Sequence, residues 1–178
     1  MKLSPILLCR NNQWAISTPL SRQSGSETIV AKAAAYGIEG VRVDGNDVLA
    51  MYVATQRAAK RARSGGGATL LEALTYRVGA HSTSDDPSVY RDDAEVEPWR
   101  ARDPIDRLRL YLTARGLWDD ARDAELDAQV AAEVKATAEA VEKLALPGIE
   151  TMFEDVYAQP PWHLREQLAE LRDHLTTQ

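Results

Sequence analysis

An apolar run, Pro5-Ile6-Leu7-Leu8-Cys9, passes without interruption into the polar string Arg10-Asn11-Asn12-Gln13, and no other feature constrains the fold as tightly. Consecutive apolar residues without alternation read as a strand, Ile6 to Cys9, buried on both faces of a parallel sheet. Polar loop chemistry directly after such a strand marks the carboxyl edge of an open α/β sheet, where ligands bind. The run starts almost at Met1, whereas a strand of that kind normally has neighbours ahead of it in the sequence.

The next elements alternate between helix and strand. Ser26 is placed to cap a helix from about Glu27 to Tyr36, which Gly37 stops. Val41-Arg42-Val43 alternates as a short strand does. Asp44-Gly45-Asn46-Asp47 reads as a turn ending on an N-cap, and the helix after it aligns Val48, Met51, Tyr52, Thr55, Ala58, Ala59 and Ala62 on one face. Gly65-Gly66-Gly67 ends that helix, and Thr69 to Tyr76 forms a third strand. The glycine run is a poor phosphate loop, because no Gly-Lys-Ser/Thr follows it and a strand comes next instead of a helix. The order implies right-handed crossovers, and so an α/β fold with a parallel sheet and flanking helices.

From Arg77 to about Arg102 there is little periodicity and much Ser, Asp, Arg and Pro, which reads as a long loop of a kind usually functional or mobile. Asp103-Pro104 starts a helix with Ile105, Leu108, Tyr111 and Leu112 on its apolar face and Gly116 at its close. A longer helix rich in Ala and Glu is expected from about Asp119 to Leu146, its alanine face suited to close helix packing, with a stop at Pro147-Gly148. A last amphipathic helix from Trp162 carries Leu164, Leu168, Leu171 and Leu175. Residues 1–102 thus read as a partial ligand-binding α/β part that includes the loop, and 103–178 as the C-terminal helical part of the same domain.

Twenty-one Lys and Arg against twenty-seven Asp and Glu leave a formal charge of -6, which argues against a nucleic-acid binder that works by phosphate neutralisation. Arg57, Lys60, Arg61 and Arg63 gather near a helix end, where cations complement the helix dipole. No apolar stretch approaches the ~20 residues that span a bilayer, so no membrane association is expected. Met1-Lys2-Leu3-Ser4-Pro5 does not read as a signal peptide, since the apolar run is short and no small-residue cleavage site follows. The single cysteine, Cys9, excludes an internal disulfide and fits a reducing, cytoplasmic setting. It reads as a small core residue and not as a catalytic thiol.

Asparagine is a common turn residue, so Asn11-Asn12 alone reads as a turn. The whole string Arg10-Asn11-Asn12-Gln13-Trp14-Ala15-Ile16-Ser17-Thr18-Pro19 resembles the end of the thiamine-diphosphate motif that begins with Gly-Asp-Gly and finishes with Asn-Asn. A diphosphate carried by Mg²⁺ needs hard oxygen ligands, which a carboxamide and a peptide carbonyl supply without excess negative charge. The resemblance implies that the Asn12 side-chain oxygen and the Trp14 main-chain oxygen bind Mg²⁺. It also implies that Arg10 approaches the diphosphate and that Ala15 and Ile16 lie along the cofactor.

A second string, Tyr76-Arg77-Val78-Gly79-Ala80-His81-Ser82-Thr83-Ser84-Asp85-Asp86-Pro87-Ser88-Val89-Tyr90-Arg91, resembles the phosphorylation-loop region of the alpha subunit of branched-chain 2-oxo acid dehydrogenases. The likeness continues through Val41 to Asp47, Asp103-Pro104-Ile105 and Met152-Phe153-Glu154-Asp155-Val156-Tyr157, so it covers almost the whole chain. It implies a thiamine-diphosphate-binding fold followed by C-terminal helices, with His81 close to the diphosphate and the reaction centre. Ser82 matches the phosphoacceptor of animal members, and Arg77, Asp85, Tyr90 and Arg91 read as residues that hold the loop in shape.

The activity implied is oxidative decarboxylation of branched-chain 2-oxo acids with acyl transfer to lipoyl groups, and pyruvate dehydrogenase alpha subunits are near relatives. The implied partners are a beta subunit in an α2β2 assembly and a lipoyl-bearing acyltransferase. The family's alpha subunit also has about as much chain again ahead of this point, including Gly-Asp-Gly and a carboxylate that completes the Mg²⁺ shell. That N-terminal half is then a further partner, or the chain is a non-catalytic relic or assembly module that binds a beta-like subunit.

Overall fold

Three parallel strands carry the architecture, and the third of them in sequence takes the central place. In chain order the computed structural model contains β1 (Ile6–Asn11), a small antiparallel hairpin of β2 (Trp14–Ala15) and β3 (Thr18–Pro19), then β4 (Glu39–Asp44) and β5 (Thr69–Leu74). The large sheet has the order β1-β5-β4, with both pairings parallel. The structure describes residues 3–177, so Gln178 and the Met1-Lys2 start of the segment read above as no signal peptide lie outside the described residues.

The helices are α1 (Leu20–Gln23), α2 (Val48–Arg63), α3 (Asp93–Arg100), α4 (Pro104–Ala114), α5 (Asp120–Glu142), α6 (Thr151–Glu154) and α7 (Trp162–Thr176), with 3-10 segments at Val30–Tyr36 and Pro87–Val89. The chain divides into two compact units, one ending at Asp119 and the other starting at Asp120. The first holds the parallel sheet, its flanking helices and α3 and α4, so it runs past the division at residue 102 read from the sequence; the second holds α5 to α7. Among the described residues no helix is long and apolar enough to cross a membrane.

Several local expectations change. Ile6 to Cys9 is not buried on both faces, because β1 is an edge strand here: Leu7 is 48% and Leu8 59% exposed. The doubly buried strand is β5, where Thr69, Leu71, Glu72 and Ala73 are all buried between two neighbours. Ser26 caps no helix. The segment after it becomes a 3-10 helix from Val30, whose first N–H is taken by the Glu72 carboxylate (2.7 Å), a partner 42 residues away. In α2 the inner face centres on Met51, Ala54 and Ala58, while Val48 and Tyr52 stay largely exposed.

The stretch read as a loop from Arg77 to Arg102 contains α3, capped by Asp92. Tertiary packing forms it: Val96 is buried and Trp99 stacks on Tyr76 with ring centroids 5.4 Å apart, which overrides Pro98 inside the helix. The long helix ends at Glu142 and not at Leu146, and none of its residues is buried, so its alanine face is exposed and not closely packed as expected. Within the second unit, Leu168 of α7 is buried, and Arg172 bonds Glu150 just ahead of α6 (2.8 Å).

Other expectations hold with visible chemistry. Asp47 accepts from the Leu49 and Ala50 N–H groups, and Asp103 accepts from Ile105 and Asp106 ahead of Pro104 at the first helical position. Gly116 ends the α4 turn at φ 67°. At Gly45 a side chain has no room, because a Cβ would lie 2.8 Å from the Leu74 carbonyl oxygen, the atom that accepts the Gly45 N–H (2.7 Å). We expect Gly45→Ala to lower unfolding free energy by about 1–3 kcal/mol. A urea titration with an unchanged midpoint would show that this close approach is not needed.

Candidate cofactor site

All three strands of the large sheet finish on one rung, since Asn11 and Asp44 both pair with Leu74. Two chain segments then leave the carboxyl edge side by side. Thr75 N–H donates to the Asn11 carbonyl (2.9 Å) and Arg77 N–H to the Asn12 carbonyl (3.2 Å), so the start of the His81 loop runs against the Asn11-Asn12 turn.

Side chains shape that turn. Asn11 Oδ1 accepts the Gln13 N–H (3.2 Å) and Asn12 Oδ1 accepts the Trp14 N–H (3.1 Å). Gln13 at φ 70° and Ile16 at φ 54° both lie in the left-handed region, which costs roughly 1–3 kcal/mol each for non-glycine residues. Hydrogen bonds hold both in place: the Gln13 carbonyl takes the Leu20 N–H (2.8 Å) and the Ile16 carbonyl takes Arg77 Nη2 (2.6 Å).

The Gln13–Leu20 bond makes that pair a hydrogen-bonded rung, so the next pair, Trp14–Pro19, falls between rungs and the Trp14 carbonyl faces away from its partner strand. Pro19 has no N–H to offer in any case. One turn therefore carries two neutral hard oxygens, Asn12 Oδ1 and the Trp14 carbonyl, the donor type that suits a hydrated divalent cation. A cavity of about 170 Å³ opens beside them, lined by Arg10, Asn12 and Trp14 together with Cys9 and Ile29. Among the described residues no cluster of three or more His, Cys, Asp or Glu stands ready to hold a metal.

Not every expected residue joins this cavity. Ala15 ends β2 and Ile16, 56% exposed, stands at the hairpin tip with Ser17, and neither Ala15 nor Ile16 lines the cavity. His81 is exposed on its loop and does not line it either; its backbone N–H donates to Asp85 Oδ2 (2.8 Å). Ser82 is exposed, its Oγ 3.3 Å from Ser84 Oγ. A larger groove of about 800 Å³ lies elsewhere, between β4 and α2, and contains none of these residues.

The four residues read as shaping the loop form one hydrogen-bonded set. Tyr90 hydroxyl donates to Asp85 Oδ2 (2.6 Å), Arg77 donates to the Tyr90 oxygen (2.9 Å), and Arg91 donates to the Arg77 and Val78 carbonyls. The Tyr90 ring sits 5.4 Å from the Trp14 ring, so this set fastens the loop to the hairpin. The His81 N–H, and after it the Tyr90 hydroxyl, hold the Asp85 carboxyl below the usual carboxylate range. The bond to Asp85 in turn raises Tyr90. Burial, then the bond to Glu95, pushes Tyr76 up, and burial, then Glu72, pushes the Cys9 thiol up, which keeps it a poor nucleophile.

Residues 1–150 match the family described as dehydrogenase E1 component. The chain belongs to that family. It is 46% identical over 168 residues to the 2-oxoisovalerate dehydrogenase subunit alpha 2 (mitochondrial) of Arabidopsis thaliana, across 94% of this chain and 36% of that protein. It is 45% identical over 176 residues to the pyruvate dehydrogenase E1 component subunit alpha of Acholeplasma laidlawii, across 98% of this chain and 51% of that one. The 3-methyl-2-oxobutanoate dehydrogenase subunit alpha of Mycobacterium tuberculosis is 44% identical over 170 residues, which cover 96% of this chain and 46% of the relative. The E1 chain thus spans about half or less of the length of these curated relatives, and the resemblance drawn from its two polar strings is borne out at family level.

Sequence reasoning missed Glu72, and the part Asn11 plays, at the candidate site. Glu72 is fully buried in β5, and its carboxylate accepts from Asn11 Nδ2 (2.7 Å) as well as from Val30. The available signal was an acidic residue in the middle of Thr69-Leu70-Leu71-Glu72-Ala73-Leu74, an otherwise apolar central strand. Asn11, buried and held through Nδ2 by Glu72, shapes the turn, while Asn12 Oδ1 on the less buried neighbour accepts the Trp14 N–H and keeps its second lone pair.

Because the folded Asp85 carboxyl is depressed, its contribution to loop order is present above the ordinary carboxylate pKa and is lost as pH falls through the lowered value. We expect Tyr90→Phe to raise the Asp85 pKa toward the ordinary value and move loop opening to higher pH. Carboxyl-carbon NMR titration of Asp85, read with the His81 amide shift, checks this; an unmoved Asp85 would refute the assigned role of the Tyr90 bond.

Proposed function

We propose that this E1 chain supplies one side of a composite site for thiamine diphosphate and Mg²⁺ in the decarboxylating component of a 2-oxo acid dehydrogenase. The observation that carries it is the turn after β1, which offers the Asn12 amide oxygen and the Trp14 carbonyl beside Arg10 at the carboxyl edge of a parallel sheet. Branched-chain 2-oxo acids are the proposed substrate class, supported by relatives named 2-oxoisovalerate and 3-methyl-2-oxobutanoate dehydrogenase subunits. A 2-oxo acid of the pyruvate type is the runner-up.

When bound, thiamine diphosphate supplies the nucleophilic carbon and electron sink that decarboxylation needs. The donor set fits the group: two neutral oxygens replace waters around the cation, and the Arg10 guanidinium neutralises phosphate oxygens. Ala15 and Ile16 lie along the cofactor in this reading. The His81 imidazole would donate to a phosphate oxygen or move a proton beside the bound cofactor. Phosphorylation of Ser82 would set negative charge beside the diphosphate and repel it.

The remaining cation ligand, a carboxylate, comes from the N-terminal half that includes Gly-Asp-Gly, and a beta subunit completes an α2β2 assembly that meets a lipoyl-bearing acyltransferase. The half-exposed apolar edge of β1 supports a further polypeptide beside it, because such an edge left bare is an aggregation liability. A reducing, cytoplasmic setting belongs to the same reading. That exposed edge also favours a second reading, an assembly module that retains the packing surface and binds a beta-like subunit without cofactor.

Calorimetric titration of thiamine diphosphate with Mg²⁺ into this chain, mixed with the N-terminal half and a beta subunit, separates the two readings. We expect saturable binding, weakened by Asn12→Ala at least as much as the roughly 10–100-fold that loss of an outer-shell partner costs a metal site. Absence of binding in the full mixture would leave only the assembly reading.

A further inference from the structure

We propose that Asn46 is the positioning residue of the His81 loop, closing the loop at both ends with one carboxamide. The proposal rests on the reading of that loop as the flank of a diphosphate site and adds what fixes it there. Asn46 is 5% exposed, and both polar atoms of its side chain are used. Thr75 Oγ1, at the point where the loop leaves β5, donates to Asn46 Oδ1 (2.5 Å). Asn46 Nδ2 donates to the carbonyl of Arg102, in the short link between α3 and α4 where the segment that carries both the His81 loop and α3 ends (3.0 Å).

The carboxamide is itself held rigidly. Its backbone N–H donates to Asp44 Oδ1 (2.9 Å), and its carbonyl accepts from Arg107 Nη1 (3.0 Å), which also reaches Asp44 Oδ2 (2.9 Å). The same guanidinium bonds Asp47, the cap of α2 (3.2 Å). The turn Asp44-Gly45-Asn46-Asp47 thus does more than join β4 to α2. Only a short amide offers an acceptor and a donor on one planar group, so Asp at this position would keep the Thr75 bond and face the Arg102 carbonyl with a second oxygen. Joining the two ends of a long segment restricts its closure entropy while leaving its middle, His81 to Ser84, exposed for a ligand.

Limited trypsin digestion of the full chain, with cleavage after Arg91 followed by mass spectrometry, tests the proposal without any cofactor. Cleavage of a transiently opened loop tracks its open population. Asn46→Ala and Asn46→Asp are each expected to speed this cut by roughly tenfold, and Thr75→Val by less, with cuts in α2 unchanged. Thr75→Val keeps the test open if the Asn46 variants fold poorly. An unchanged Arg91 cut, or an equal rise at Arg91 and in α2, would overturn the proposal, the second because it reports only general destabilisation. In parallel, protection of the wild-type Arg91 bond by thiamine diphosphate with Mg²⁺, in the mixture with the N-terminal half and beta subunit, reads the cofactor assignment separately. Loss of that protection with a loop-specific effect of Asn46→Ala would sink the assignment and leave the staple standing.

Discussion

The carboxylate of Glu72, fully buried in the central strand, joins the pieces on which the rest of the first unit depends. One oxygen takes the Asn11 amide at the end of β1 and the other takes the Val30 N–H that opens the 3-10 helix, both at 2.7 Å. Leaving a carboxylate in such a place without partners costs several kcal/mol, and charge-assisted bonds of about 1.5–3 kcal/mol each offset this. Arg42 approaches to 3.8 Å, but its side chain is 44% exposed, so that ion pair adds little. The two short hydrogen bonds therefore decide the local structure.

From that anchor the site follows in order. Asn11, pinned by Glu72, accepts the Gln13 N–H and tightens the turn; Asn12 then accepts the Trp14 N–H, and the hairpin leaves the Trp14 carbonyl facing outward. The strained backbone at Gln13 and Ile16 persists because Leu20 and Arg77 bind their carbonyls. Arg77 is shared with Tyr90, so the hairpin and the His81 loop are set by common residues instead of by two separate devices. An E1 family chain of this length sets two neutral oxygen donors and an exposed histidine loop at one sheet edge, without a carboxylate cluster among its described residues.

What could be read from the sequence was what local chemistry decides. Asp47 and Asp103 cap the helices that follow them, Gly116 closes α4, and the apolar runs at Ile6 and Thr69 are strands, because each depends on neighbours within a few residues. What escaped depends on distant partners. The exposure of β1 reflects its edge position, the start of the 3-10 helix is set by a carboxylate on another strand, and α3 forms around Tyr76 despite Pro98. Asn11-Asn12 was legible as a polar turn after a strand, but the division of labour between them was not, since only the position of Glu72 tells which amide is tied down.

The most direct test is amide hydrogen exchange by NMR on Glu72→Gln, a replacement of the same shape that can accept from only one of the two donors at a time. The structure leads us to expect exchange at Gln13, Trp14 and Val30 to rise by roughly tenfold or more while Leu71 and Ala73 in the strand keep their protection. Unchanged exchange at all three of those amides would contradict the claim that this buried carboxylate sets the turn that carries Asn12 and Trp14.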